Sequence, residues 1–62
     1  MSIVFKTEYS DFYINPQKIQ YLNVIKEEKA IFVHFTQNDY LRLSFEDDVK
    51  FNEMLHELKS RI

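Results

Sequence analysis

Ala30-Ile31-Phe32-Val33-His34-Phe35-Thr36, then Gln37-Asn38-Asp39, then Tyr40-Leu41-Arg42-Leu43-Ser44-Phe45, is the stretch that decides the fold. The first segment is a nearly continuous run of β-branched and aromatic residues, the composition of a strand. The last alternates cleanly, with Leu41, Leu43 and Phe45 on one side and Tyr40, Arg42 and Ser44 on the other. That is the period of a strand with one buried face. The polar residues between them predict a hairpin turn. Register follows from face consistency, because a one-residue slip exchanges the two faces. A two-residue loop, Asn38-Asp39, sets Leu41 against Thr36 and Leu43 against His34. A three-residue loop, Gln37 to Asp39, sets Leu41 against Phe35, Leu43 against Val33 and Phe45 against Ile31, which separates apolar from polar. The three-residue loop is therefore expected, with a left-handed residue at Asn38 or Asp39.

Upstream, Ile19 to Ile25 reads as another strand, turned at Glu27-Glu28. The same logic pairs Val24 with Ile31 and Leu22 with Val33. The inner face then holds Leu22, Val24, Ile31, Val33, Phe35, Leu41, Leu43 and Phe45. Further upstream, Ile3 to Thr7 is a strand, Tyr9-Ser10-Asp11 a turn, and Phe12-Tyr13-Ile14 a short extended piece. Asn15-Pro16 ends that piece, since proline has no N–H for a central ladder. Downstream, an amphipathic helix is expected over about 45–61. Ser44 is the candidate N-cap, with Asp47 three residues later. Glu46, Asp47 and Asp48 fall in its first turn and Lys59 and Arg61 in its last, as the helix dipole favours. Phe51, Met54, Leu55, Leu58 and Ile62 form its apolar stripe, with Val49 outside it. The expected fold is one α+β domain over 1–62: a four- to five-stranded antiparallel meander sheet followed by one C-terminal amphipathic helix that covers the inner face.

The outer face would collect Tyr21, Asn23, Ile25, Phe32, His34, Thr36, Tyr40 and Arg42. A solvated sheet face is normally polar or charged. A contiguous apolar one marks an interaction site. Tyr21, Phe32, His34, Tyr40 and Arg42 are therefore the candidate binding or interface residues. Three occupants suit them: a second copy, single-stranded nucleic acid stacked on the rings, or a different protein. Self-association fits the chain's size as well. At 62 residues the chain buries only about 60% of its unfolded surface, and domains this small usually need disulfides, metal or oligomerisation. There is no cysteine for a disulfide.

Catalytic and metal chemistry find little footing. The absence of glycine removes glycine-rich phosphate loops and matches the residue usage of an AT-rich genome. His34 and His56 lack ligand spacing, and a structural zinc site normally needs four ligands. No nucleophile is placed beside His34, and His56 is expected to face solvent. Glu46, Asp47 and Asp48 diverge around a helix axis, so they read as helix-start acids rather than a cation site. Glu53 and Glu57 are i, i+4 on a solvated face. Together with Glu46, Asp47 and Asp48 they give the helix an acidic face. The chain is expected to be non-enzymatic, with no cofactor and no metal. The net charge of −2 leaves no global basic footprint. Residues 1–43 balance five basic against five acidic residues, while 44–62 hold three against five. The start lacks a signal-peptide pattern and no run approaches the ~20 apolar residues of a membrane span, so a cytoplasmic protein without membrane contact is expected.

Two resemblances extend these expectations. Tyr21-Leu22-Asn23-Val24, the turn Glu27-Glu28-Lys29, Ala30 to Phe35, Leu41-Arg42-Leu43-Ser44 and the acidic helix start resemble the positive-cofactor-four-like fold, over about 20–62. That resemblance implies four antiparallel strands, a C-terminal helix, a dimer and single-stranded DNA bound on the sheet. Tyr21, Phe32, Tyr40 and Arg42 would be its contacts. Cations on the sheet half, Lys6, Lys18, Lys26, Lys29 and Arg42, are fewer than that family carries. Phe12-Tyr13-Ile14-Asn15-Pro16-Gln17-Lys18-Ile19 with Tyr21-Leu22 is similar to a segment of the small flagellar FlbD-type proteins, but lacks their Asn-Gly turns. It implies an accessory factor. The function expected from the sequence is a small homo-oligomeric binding module, with single-stranded nucleic acid on its aromatic face. The alternative is an adaptor or inhibitor of a host protein, as bacterial accessory operons, phages and mobile elements encode, acting through the apolar face or the acidic helix.

Overall fold

The computed structural model describes residues 2–36 and 38–62. Strands β1 (Ile3–Lys6) and β2 (Asp11–Ile14) form an antiparallel hairpin, and β3 (Tyr21–Ile25), β4 (Ala30–His34) and β5 (Tyr40–Ser44) form an antiparallel meander. Helix α1 (Asp48–Arg61) follows. The architecture is α+β, antiparallel strands and then one C-terminal helix, as the alternation and the helical stripe imply. The five strands are divided between two sheets rather than joined in one.

Without glycine, the three turns before β4 are closed by polar side chains or by one left-handed residue. In the first hairpin the Thr7 hydroxyl accepts from the backbone N–H of Tyr9 (3.2 Å) and Ser10 (3.0 Å). The Thr7 N–H donates to the Ser10 carbonyl at 2.8 Å. The turn therefore spans Thr7 to Ser10, and Asp11 already belongs to β2. Asn15 caps a single 3₁₀ turn (Pro16–Lys18), its side-chain oxygen accepting from the Gln17 N–H at 3.0 Å. A second 3₁₀ turn (Lys26–Glu28) joins β3 to β4 and ends at Lys29, which is left-handed (φ 52°, ψ 46°). That conformation is costly for a residue with a Cβ. The Lys29 side chain is anchored as well: its ammonium donates to the Glu46 carbonyl (3.2 Å) and lies 3.7 Å from Asp48 Oδ1.

The β3–β4 register matches the face argument, Val24 opposite Ile31 and Leu22 opposite Val33. The β4–β5 register differs from it by two residues. Leu43 lies opposite Ile31 and Leu41 opposite Val33, instead of Val33 and Phe35, and the Phe45 N–H donates to Lys29 O at 3.0 Å rather than pairing with Ile31. The connection runs from Phe35 to Asp39, closed by Phe35 N–H to Asp39 O (2.9 Å) and Asp39 N–H to Thr36 O (3.4 Å). Gln37, within the expected three-residue loop, lies outside the described residues. Among the described residues, positive φ falls at Lys29 and not in this loop. A two-residue slip leaves every side chain on its expected face, so the faces hold while the pairs change.

The helix also starts later than the capping pattern implies. Phe45 continues the β5 ladder, and the N-cap is Asp47, whose carboxylate accepts from the Lys50 N–H at 2.8 Å. Ser44 stays in the strand. Phe51 and Leu58 are buried, Met54 and Leu55 pack against the core, and Ile62, expected on the stripe, is exposed.

One core joins three layers. Ile31, Val33 and Leu43 of the meander meet Phe51 and Leu58 of α1 and Ile3, Phe5 and Ile14 of the first hairpin. Phe45 ties the layers together, edge-on to Phe5 (centroids 5.4 Å apart) and to Phe51 (6.1 Å). The hairpin therefore shares with the helix the cover of the inner face, a cover the sequence reading gave to the helix alone. Each fully buried aliphatic side chain here contributes about 1.5–3 kcal/mol.

Candidate binding face

The outer face of the meander is built by cross-strand pairing. Tyr21 lies opposite His34, and His34 opposite Tyr40, so three rings run across β3, β4 and β5. In the neighbouring row Asn23 lies opposite Phe32, and Phe32 opposite Arg42. The pleat aims all of these side chains to one side. All five candidate residues, Tyr21, Phe32, His34, Tyr40 and Arg42, are thus brought together.

Their contacts are mutual. The Tyr21 and His34 rings stack in parallel, centroids 4.2 Å apart and 8° between planes. His34 and Tyr40 are 5.4 Å apart, and Phe32 and Tyr40 5.8 Å. The Arg42 guanidinium lies 5.6 Å from the Phe32 centroid, in cation–π range. One of its nitrogens is 3.5 Å from Glu28 Oε1. Sequence reasoning missed Glu28 as part of this face, because only the folded β3–β4 turn carries its carboxylate to Arg42. The pairing leaves the face electrically balanced. Tyr21 is 49% and Tyr40 56% exposed, while Phe32 and His34 are half-buried between them. His34 Nδ1 is buried with no hydrogen-bond partner among the described residues. Aromatic surface this contiguous is the composition of an interface core, with rings and arginine enriched.

The acidic residues separate into two groups. Asp48 turns to Lys29. Glu46, Asp47, Glu53 and Glu57 border a groove of about 690 Å³ between β1 and the start of α1. Asp47 serves as the cap, and Glu57 lies 3.8 Å from Arg61 one turn on. The five therefore do not form one helix face. His56 is exposed, as expected. No helix of the described residues is long and apolar enough to cross a membrane. No family model, curated protein or solved structure matches the chain.

Proposed function

We propose that this protein is a non-enzymatic, homo-oligomeric binding module whose contact surface is the outer face of β3–β5. The observation that carries the reading is the exposed ring row Tyr21–His34–Tyr40 flanked by Phe32 and Arg42. Helix and first hairpin both pack into the core on the opposite side and leave this row uncovered, which supports assigning its cover to another molecule. The Arg42 guanidinium that flanks the row is matched by Glu28. A balanced, aromatic surface gains by excluding water against a similar surface and brings no like charges together. A second copy of the chain meets both conditions.

Single-stranded nucleic acid on the same face is the second reading, and the one the positive-cofactor-four resemblance implies. The line of rings favours it, since stacked bases are worth about 1–3 kcal/mol each on aromatic side chains. Phosphate contact would fall to Arg42, in competition with Glu28, and to the nearby lysines. Sedimentation equilibrium with and without a short oligo-dT, at low and moderate salt, separates the two. The module predicts a mass twice the chain's 7.6 kDa without oligonucleotide. Nucleic-acid binding predicts an added mass that disappears as salt rises. A monomer unaffected by oligonucleotide at either salt would overturn both.

A further inference from the structure

We propose that the groove between β1 and α1 takes an extended, basic segment of a partner protein, added as a strand to the free edge of β1. The inference is independent of the aromatic face and lies elsewhere on the molecule. Among the described residues β1 pairs with β2 alone, and no strand lies beside its second edge. Consecutive residues from Ile3 to Glu8 line the groove, and none from β2 do. A strand offers alternate residues from a face and consecutive ones from an edge. The backbone agrees. The Thr7 N–H points to Ser10 of the opposite side of the hairpin. Alternation along an antiparallel ladder then turns the N–H and C=O groups of Val4 and Lys6 away from β2, toward the open edge.

The groove selects its occupant by shape and charge. Ile3, Phe5, Phe45 and Met54 give it an apolar base, while five acids, Glu8, Glu46, Asp47, Glu53 and Glu57, outnumber two lysines, Lys6 and Lys50, around it. Glu8, Glu46 and Glu53 enter no ion pair among the described residues. A second copy paired edge to edge would set one acidic rim against another, and nucleic acid would bring phosphates to it. Both are disfavoured by like charge. A strand alternating aliphatic and basic residues meets each demand: main-chain bonds to Val4 and Lys6, alternate side chains on the apolar base, and cations toward the glutamates. β1 is about 13 Å long at ~3.3 Å per residue, so four to six added residues fill it.

The test uses the full chain, ¹⁵N-labelled, with two probes: a hexapeptide of Val-Arg repeats and one of Val-Glu repeats. The Val-Arg peptide is expected to bind and to slow amide exchange at Val4 and Lys6, with little change at Phe5, whose N–H already faces β2. Glu46→Lys with Glu53→Lys, both at exposed positions, is expected to weaken binding about tenfold or more, while the unbound exchange pattern shows that the fold is kept. Equal binding of the Val-Glu peptide, or full binding by the double variant, overturns the proposal. So does protection of Val4 and Lys6 that rises with protein concentration in the absence of peptide, which would make a second copy the occupant. Val-Arg binding that leaves exchange at Val4 and Lys6 unchanged also overturns it, since the peptide would then be held by charge alone.

Discussion

The two faces of the β3–β5 meander come from alternating residues of the same three strands, yet they meet opposite fates. On the inner face Ile31, Val33 and Leu43 are 0% exposed, under both a helix and a hairpin. On the outer face Tyr21 and Tyr40 remain about half exposed, beside rings that contact one another and Arg42. Both faces carry large side chains with apolar surface, but only the inner one is covered. The inner face completes the monomer, and the outer face carries aromatic surface beyond what the monomer uses. The contrast can be tested from both sides.

Leu43→Ala should have the largest effect, since it opens a cavity at the centre of the covered face. A loss of about 2–5 kcal/mol is expected, much of what a domain this small possesses at roughly 0.05–0.15 kcal/mol per residue. Urea denaturation measures it, and a loss under 1 kcal/mol would mean the core is looser than its burial implies. Phe32→Arg, on the uncovered face, should instead act on association. Sedimentation should show the proposed dimer weakened by about 2 kcal/mol, roughly 30-fold, with the monomer still folded by circular dichroism. Asp47→Ala removes the helix cap and should cost about 1 kcal/mol of thermal stability, whereas Ser44→Ala should cost little. Glu57→Gln, which breaks an exposed i, i+4 pair with Arg61, should change stability by no more than ~0.5 kcal/mol.

Much of this contrast was legible in the sequence. Alternation in Tyr40 to Phe45 and the run Ile31 to Phe35 assign the paired residues of β4 and β5 to their observed faces. The five residues singled out for binding do converge. Register was less legible for a physical reason. Side chains alternate with period two, so a slip of two residues costs nothing in face consistency, and only the hydrogen bonds of the Phe35–Asp39 connection decide it. The helix start shows the same limit. Ser44 and Asp47 are both good capping residues, and the choice falls to Phe45, which the aromatic contacts with Phe5 and Phe51 keep in the strand direction. Lys29 as the left-handed residue had no local signal. Its ties to Glu46 and Asp48 are long-range. The docking of β1 and β2 onto the core, and with it the groove beside β1, is a tertiary outcome that no local pattern in Ile3 to Ile14 encodes.

The central claim, that the outer face is a contact surface between copies, is tested most directly by aromatic proton shifts followed over a concentration series. The account predicts that Tyr21, Phe32, His34 and Tyr40 shift together along one binding curve while Phe51 in the core stays fixed. Shifts at these four rings that do not change with concentration, in a particle that diffuses as a monomer throughout, would contradict it.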